Sequence, residues 1–239
     1  MTSDSPLGGA TALVTGASRG IGAAVAERLA GRGADVWALA RTTGAIEALA
    51  ARIGGHPLPA DLTDDVAVWH ALDRLQEELG GPPDLVVNAA GVFSLGACAS
   101  ESVGAFDLNL AVNLRGAFLV VRALLPAMLS RGRGTIVNIG SVAGRKAIAG
   151  NASYAASKFG LRGFHEVLLE ELRGSGVRAS LVEPAATDTS LWDPLDPDLD
   201  PALPDRSAML APDDVAEAVL FIATRRPQVR IPVLQIERA

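Results

Sequence analysis

One glycine-rich stretch decides the fold: Thr15-Gly16-Ala17-Ser18-Arg19-Gly20-Ile21-Gly22. It follows the apolar run at residues 10–15, which predicts a strand, and it leads into residues 21–32, whose apolar side chains recur at helical spacing. Strand, glycine-rich turn and helix in this order are typical of a turn that binds the phosphates of a dinucleotide. The alternative is an ordinary turn between a strand and a helix, because 25 of the 239 residues are glycine.

Each glycine of this turn has a separate predicted role. Gly16 allows a tight turn out of the strand, Gly20 lets the backbone approach a pyrophosphate, and Gly22 lets the helix pack closely on the sheet. A helix that begins here directs its free N–H groups toward the phosphates. We therefore expect cofactor contacts from Gly16, Ser18, Arg19, Gly20, Ile21 and Gly22.

The rest of the chain alternates between strand and helix patterns. The predicted strands are 10–15, 35–40, 56–60, 85–88, 135–139, 179–182 and 229–236, and the predicted helices are 21–32, 45–53, 64–79, 103–129, 153–173 and 213–224. This alternation predicts an α/β fold, a three-layer Rossmann-type doubly wound parallel sheet of about seven strands with helices on both faces. We expect one domain over residues 1–239. Residues 192–204 hold four prolines and four aspartates, and we expect a substrate-loop insertion at about 190–210.

Composition narrows the classes of function. The formal net charge of −6 disfavours nucleic acid and anionic membrane surfaces as partners. One cysteine, Cys98, and three scattered histidines predict no metal site. Residues 1–9 lack the features of a secretory signal, and the chain has no run of 18 apolar residues. We therefore expect a cytoplasmic protein with no membrane span.

The end of the second predicted strand indicates which dinucleotide is bound. An NAD site usually places an acidic residue here, which bonds the ribose hydroxyls. This chain has Ala40 at that position, followed by Arg41 and Thr42. The guanidinium groups of Arg41 and of Arg19 suit a 2′-phosphate. We expect NADP(H) to be preferred over NAD(H); the alternative is that both arginines are solvated surface residues.

A tyrosine and a lysine provide the candidate chemistry. Tyr154, the only tyrosine, stands four residues before Lys158, so the two lie on one face of a predicted helix. A neighbouring ammonium favours the phenolate and lowers the pKa of the phenol, which makes it usable as an acid and a base. Ser141 ends the strand before this helix, where its hydroxyl faces the ligand crevice.

These motifs, taken in order, resemble those of the short-chain dehydrogenase/reductase family over about residues 11–224. The matching residues are Thr15–Gly22, Asp61-Leu62, Asn88-Ala89-Ala90-Gly91, Asn113-Leu114-Arg115-Gly116, Ser141, and Tyr154 with Lys158. The resemblance implies an NAD(P)-dependent enzyme that acts on CH–OH or C=O groups, of the carbonyl reductase type. It further implies a homodimer or homotetramer, built on the helices at 103–129 and 153–173.

The resemblance also implies a role for each matching residue. Tyr154 is expected to be the catalytic acid and base, Lys158 to lower its pKa and bond the nicotinamide ribose, and Ser141 to polarise the substrate carbonyl. Asn113 is expected to anchor a water in a proton relay. Further cofactor contacts are expected from Asp61, Leu62, Asn88, Ala89, Gly91, Pro184, Thr187 and Thr189. For Asn88 an equally weighted alternative is that its side chain ties neighbouring strands together.

The chain departs from the family pattern after the sixth strand, where Pro184 is followed by Ala185 in place of the usual glycine. A positive φ at this position would strain alanine. The predicted substrate pocket is apolar, with Phe93, Leu95, Val142, Leu191 and Trp192. Arg145 and Lys146 could bind a substrate carboxylate, although solvated side chains are the stronger interpretation.

Three functions fit these observations. The first is NADPH-dependent reduction of a ketone or aldehyde to an alcohol, in a reversible reaction. The second is a non-catalytic NADP-binding regulator, and the third is NAD-linked alcohol oxidation or imine reduction on the same fold. The presence of all four catalytic positions favours an enzyme over a regulator.

Overall fold

A computed structural model describes residues 5–239. The strands are β1 (Thr11–Thr15), β2 (Asp35–Ala40), β3 (His56–Pro59), β4 (Leu85–Asn88), β5 (Gly134–Ile139), β6 (Val177–Pro184) and β7 (Val233–Ile236). The helices are α1 (Gly20–Ala30), α2 (Thr43–Ile53), α3 (Asp65–Leu79), α4 (Val103–Leu110), α5 (Ala117–Arg131), α6 (Ala152–Glu171) and α7 (Pro212–Ala223). Strand and helix alternate as the sequence predicts.

The strands form one parallel sheet in the order β3-β2-β1-β4-β5-β6-β7. One core cluster packs α1, α2 and α7 on one face, through side chains such as Val25, Ile46 and Val219. A second cluster packs α3, α5 and α6 on the other face, through Leu72, Leu124 and others. The predicted three-layer, doubly wound fold is therefore confirmed. Strand order reverses between β1 and β4, and ligands bind outside the carboxyl ends of the strands at such a point.

Proline marks both edges of the sheet. Pro57 and Pro59 lie in β3, which pairs only with β2 in the described sheet. An edge strand tolerates proline because one side of it needs no N–H donors. At the other edge, β7 begins at Val233, later than the predicted 229–236. Pro232 stands just before it and takes part only through its carbonyl, which accepts from the Leu181 N–H at 2.9 Å.

The helix predicted at 103–129 is one continuous helix with a π-helical turn, Ala111–Gly116, between α4 and α5. By length and composition alone, Val103–Arg131 could cross a membrane. A helix that packs in the core of a folded domain passes the same test. In this fold Val120, Leu124 and Met128 are buried against the sheet, so packing accounts for one apolar face of the helix.

The proline- and aspartate-rich segment after β6 has a defined path over the carboxyl edge of the sheet. It contains two short 3₁₀ turns, Asp193–Leu195 and Arg206–Ala208. The guanidinium of Arg206 holds the segment together through ion pairs with Asp188 at 2.5 Å and Asp193 at 2.7 Å. Its backbone N–H also donates to the Asp198 carboxylate at 2.8 Å.

Candidate active site

A cavity of about 370 Å³ opens at the carboxyl edge of the sheet. The glycine-rich turn between β1 and α1 forms its floor. Gly16 has a φ of 68°, and a Cβ there would lie 2.5 Å from the Cα of Ala90. A Cβ on Gly22 would overlap the Gly16 carbonyl. The turn can therefore pass this close to the β4 loop only with glycine at both positions.

The N-terminus of α1 at this turn fits a phosphate group. Arg19 is the N-cap residue, and its side chain makes no capping hydrogen bond. The first turn also carries no acidic residue. The first N–H groups of a helix have no intrahelical partner, so they remain available to an anion in the cavity. These residues therefore fit the pyrophosphate of a dinucleotide.

Two arginines place positive charge in the wall of the same cavity. Arg41 directly follows β2, and Arg19 lies in the glycine-rich turn before α1. Asp61, after β3, lines it as well. Hydrogen bonds from the Thr63 N–H and hydroxyl, each 2.9 Å, and the Arg41 charge hold the pKa of Asp61 below its usual value. Asp61 is thus ionised and fixed in place as an acceptor. Leu62 lies beside it in the wall.

The side chains of Tyr154 and Ser141 meet in the wall of the cavity. Ser141 lies two residues after the end of β5 and accepts from the Ala143 N–H at 3.1 Å, which fixes its side chain. Tyr154 lies in the first turn of α6, and the Phe93 ring packs edge-on against it with centroids 4.9 Å apart. A hydrogen bond with Ser141 lowers the pKa of Tyr154, but burial raises it more, so the net direction is upward.

Lys158 is buried under Tyr154. Its ammonium donates to the Ile139 carbonyl at 2.8 Å and lies 5.6 Å from the centroid of the Tyr154 ring. Burial lowers the pKa of Lys158 to about 8. The sequence predicted that Lys158 lowers the pKa of Tyr154. In the protein without bound cofactor, the pKa of Tyr154 is instead raised. The Lys158 ammonium is directed to a backbone carbonyl, and burial, which disfavours the phenolate, outweighs the hydrogen bond with Ser141.

Asn113 lies in the π-helical turn and holds the loop after β4. Its Oδ1 accepts from the Val92 N–H at 2.8 Å, and its Nδ2 donates to the Val92 carbonyl at 3.0 Å and to the Ser157 hydroxyl at 2.9 Å. π-Helical turns recur at functional sites. Here the turn aims one amide at both the loop after β4 and α6, so Asn113 positions the two relative to each other.

Three residues predicted to contact ligands lie outside the cavity wall. Thr42 is exposed at the start of α2, and Asn113 is turned toward Val92. Asn88 is buried and donates to the Asn138 Oδ1 at 2.9 Å, which is the strand-tying alternative for this residue. Asn138 in turn bonds His165, whose ring also contacts the Pro232 carbonyl at 2.9 Å. This network ties β4, β5, α6 and the edge of the sheet together.

The other predicted residues line one cavity. They are Gly16, Ser18, Arg19, Gly20, Ile21, Gly22, Arg41, Asp61, Leu62, Ala89, Gly91, Phe93, Leu95, Ser141, Val142, Tyr154, Lys158, Pro184, Thr187, Thr189, Leu191 and Trp192. Trp192 packs against Phe93 with centroids 5.0 Å apart, and its indole N–H donates to the Thr187 carbonyl at 3.1 Å.

Sequence reasoning missed Ile148 and Asn151, which also line the cavity, whereas Ser190 and Leu203 line it from the loop predicted at about 190–210. Asn151 stands three residues before Tyr154, so helical spacing would have placed it on the same face. The concern about Ala185 is resolved, because the only non-glycine residue with a positive φ in the part of the chain described is Asp196. Arg145 forms ion pairs with Glu183, at 3.6 Å, and with Glu237, and does not line the cavity.

Comparison with known proteins agrees with this geometry. The family described as short chain dehydrogenase matches residues 10–200. A D-threitol dehydrogenase of Mycolicibacterium smegmatis is 38% identical over 230 residues, covering 92% of this chain and 88% of the relative. The 3-oxoacyl-acyl-carrier-protein reductase FabG of Escherichia coli is 33% identical over 227 residues, with 90% of each chain covered.

A crystal structure of a metagenomic short-chain oxidoreductase in complex with NADP superposes with a TM-score of 0.83 at 35% identity, covering 98% of this chain and 99% of the other. The family uses NAD or NADP as cofactor. With the glycine turn, Ser141, Tyr154 and Lys158 around one cavity, the chain belongs to the short-chain dehydrogenase/reductase family and is an oxidoreductase acting on alcohol or carbonyl groups.

Proposed function

We propose that the protein reduces a ketone or aldehyde to an alcohol with NADPH, in a reversible reaction in which Tyr154 is the general acid. The observation that carries this proposal is the shared cavity, in which the Tyr154 hydroxyl and the Ser141 hydroxyl meet beside the glycine-rich turn. The bound nicotinamide supplies the hydride. Both hydroxyls donate hydrogen bonds to the carbonyl oxygen, where negative charge develops, and Tyr154 releases its proton to that oxygen.

The raised pKa of Tyr154 suits the reductive direction. A phenol that stays protonated at neutral pH is ready to donate. Lys158, buried beneath it, provides the positive charge that stabilises the phenolate left after proton transfer. With bound cofactor we expect Lys158 also to bond the nicotinamide ribose. Asn113 holds the Val92 loop and Ser157 in place, and we propose that it anchors the water through which the proton is replaced.

The preference for NADP(H) over NAD(H) is supported by charge. Arg19 and Arg41 line the cavity beside the end of β2, and Ala40 leaves that position without a carboxylate. A 2′-phosphate would gain two guanidinium partners there. Arg41→Asp should shift the ratio of kcat/KM for NADPH to that for NADH by at least about tenfold toward NADH. An unchanged ratio would mean that Arg41 does not meet the 2′-phosphate.

We also propose that residues 1–239 form one domain, with residues 190–210 as the loop that covers the substrate. The other parts of the cofactor site are assigned to the residues that line the cavity, with Pro184, Thr187 and Thr189 on the nicotinamide side. Asn88, bonded to Asn138, supports the sheet, and the Thr42 backbone carbonyl accepts the first hydrogen bonds of α2. We expect a small carbonyl or alcohol substrate, no nucleic acid or membrane partner, and a cytoplasmic location.

An apolar surface supports a homodimer or homotetramer. Seven side chains on α4, α5 and α6 are large, apolar and at least 40% exposed: Val103, Phe106, Leu108, Phe118, Leu129, Phe159 and Val167. Exposed apolar area of this kind marks interaction sites, and a second copy of the same face is the occupant we propose. Phe159→Glu should shift the mass measured by light scattering toward the monomer.

The central test compares the wild-type protein with Tyr154→Phe in NADPH oxidation, followed by absorbance, against aldehydes, keto acids, keto esters, diketones and cyclic ketones. NADH is run in parallel. We expect turnover by the wild type that falls at least about a hundredfold in the variant, since a general acid typically contributes 10²–10⁴-fold. NADPH affinity should change little. NADPH binding without turnover of any compound would favour the regulator instead.

A further inference from the structure

The part of the cavity wall next to Tyr154 is apolar and open to a ligand. It is carried by the loops after β4, β5 and β6 and is formed by Phe93, Leu95, Ile148, Leu191, Trp192 and Leu203. None of these six residues is buried, and Ile148 is 45% exposed. The side-chain oxygens of Asn151 and Ser190, which also line the cavity, are buried, so they offer a ligand no acceptor. The surface that a substrate meets here is therefore mainly hydrocarbon.

Two aromatic rings continue this wall from the proton donor outward. The Phe93 ring packs edge-on against Tyr154 with centroids 4.9 Å apart, and the Trp192 ring packs against Phe93 with centroids 5.0 Å apart. The indole N–H of Trp192 donates to the Thr187 carbonyl at 3.1 Å, which fixes the ring and leaves only its apolar surface to a ligand. A group attached to a carbonyl at Tyr154 would lie along these rings, where burial of apolar area favours binding.

The charged residues that line the cavity lie away from this apolar part. They are Arg19, Arg41, Asp61 and Lys158. Arg41 and Asp61 follow β2 and β3, which lie on the other side of β1 from the strands that carry the apolar wall. Arg19 lies in the glycine-rich turn, and the Lys158 ammonium donates to the Ile139 carbonyl at 2.8 Å. A charged group on the body of a substrate would thus meet no opposite charge in the wall.

The charges just outside the wall disfavour an anion further. Arg145 is paired with Glu183 and Glu237, and Arg206 with aspartates of the loop over the cavity. Lys146 is exposed and does not line the cavity. Between residues 190 and 205 the same loop carries five aspartates and no lysine or arginine. A carboxylate or phosphate would therefore approach through negative charge and then lose water without gaining a cation.

We propose that the substrate is an uncharged ketone or aldehyde with an apolar body at least the size of a phenyl ring, and that Trp192 is the specificity-determining residue against which this body packs. This inference rests on the proposed carbonyl reduction. It adds which carbonyl compounds the site selects, through a part of the wall that does not touch the reacting carbonyl.

Four methyl ketones test the size and the charge of the body separately. 4-Phenyl-2-butanone adds a phenyl ring to butanone, while methyl 4-(3-oxobutyl)benzoate and 4-(3-oxobutyl)benzoate differ in one negative charge. For the wild type, kcat/KM should favour 4-phenyl-2-butanone over butanone by at least about tenfold, as expected when a ring is removed from water. It should favour the ester over the carboxylate by at least about tenfold, because the carboxylate finds no cation in the wall.

Variants of Trp192 test its role. In Trp192→Ala the ratio of kcat/KM for 4-phenyl-2-butanone to that for butanone should fall at least about threefold. Trp192→Phe lacks the indole N–H but keeps a ring, and it should retain the ratio. Trp69→Ala is the matched control, because Trp69 is a tryptophan of α3 that is 53% exposed and does not line the cavity. A general disturbance of the loop by Trp192→Ala would slow both ketones equally and leave the ratio intact, which would overturn the proposal.

Binding separates this inference from the proposed function. The four ketones are titrated calorimetrically into the wild type and into Trp192→Ala, each loaded with NADP⁺. Tighter binding of 4-phenyl-2-butanone than of butanone, weakened in Trp192→Ala, with weaker binding of the carboxylate than of the ester, supports the inference even where no ketone is turned over. The lack of turnover then counts against the reductase proposal alone. A carboxylate that binds as well as its ester, or no binding of any of the four, overturns the inference. Turnover by the wild type with either ratio near one overturns it as well and leaves the reductase standing.

Discussion

Replacing Lys158 with methionine should stabilise the cofactor-free protein near neutral pH while it removes turnover. Lys158 is 4% exposed and has lost most of its contact with water. Burial lowers its pKa from 10.5 to about 8. At pH 7 the folded state must hold an ammonium that the unfolded state solvates freely, at a cost of about 3 kcal/mol. Methionine has a similar length and no charge, so it escapes this cost.

The hydrogen bond to the Ile139 carbonyl reduces the expected gain. Its loss leaves a buried acceptor unsatisfied, which costs about 1–2 kcal/mol. The net stabilisation of Lys158→Met at pH 7 is therefore about 1–2 kcal/mol. Lys146→Met is the matched control, because Lys146 is the only other lysine and is exposed; it should change stability by no more than about 0.5 kcal/mol.

The pH dependence of the free energy of unfolding separates the effect of the Lys158 charge from the effect of side-chain packing. Between about pH 8 and 10.5 the unfolded state binds more protons at this position than the folded state, so wild-type stability rises with pH in that window. From pH 7 to 9.5 the contribution of Lys158 should rise by about 2 kcal/mol. Lys158→Met should lack this rise, and Lys146→Met should retain it.

The assay is urea unfolding of the three cofactor-free proteins at half-unit steps between pH 7 and 9.5. Tyr154, with its raised pKa, stays protonated across this range and does not obscure the result. Parallel curves for the wild type and Lys158→Met would refute the reasoning, because they would mean that the folded protein solvates the ammonium well. A variant less stable than the wild type at pH 7 would show that the Ile139 hydrogen bond outweighs the buried charge.

Three further predictions concern the turn, the sheet and the loop. Gly22→Ala should lower the free energy of unfolding in urea by at least about 2 kcal/mol, because its Cβ overlaps a backbone carbonyl; Gly104→Ala, where a Cβ meets open space, is the control and should not destabilise. Burial lowers the pKa of His165, so wild-type stability should fall as pH drops from about 6.5 to 5, and His165→Gln should weaken that fall in the same assay. Arg206→Met should raise KM severalfold with a smaller change in kcat, because the loop it holds covers the cavity; equal KM values would separate the loop from substrate binding.

The alternation of patterns was enough to predict the sheet and its helices, but not all of the element limits. The sixth strand was predicted at 179–182 and spans Val177–Pro184. Arg178 and Glu183 interrupt its apolar pattern. Arg178 donates to the carbonyls of residues 225, 226 and 229, and Glu183 pairs with Arg162 at 2.7 Å. Charges that are satisfied by distant parts of the chain cannot be recognised in a local pattern.

The candidate site likewise contains residues that could be predicted from the sequence and features that could not. The glycine turn, Ser141, Tyr154 and Lys158 were predictable because each depends on a fixed local spacing or strand end. The direction of the Tyr154 pKa depends on burial, which no spacing reveals. The spacing of Asn151 to Tyr154 is visible in the sequence, but its burial in the cavity wall is known only from the folded protein.

The hydrogen bonds around the cavity distinguish a rigid part from an adjustable part. Asn113 bonds both backbone groups of Val92, Lys158 bonds the Ile139 carbonyl, and Gly96 pairs with the residues before α6. These contacts are partly or fully buried, and each joins a side chain or backbone to another backbone group. The covering loop is held differently, mainly by ion pairs of Arg206 with exposed aspartates. Salt screens exposed ion pairs much more than buried hydrogen bonds. Added salt should therefore raise KM for the substrate while the stability of the core changes little, which is what a preorganised catalytic site under an adjustable loop requires.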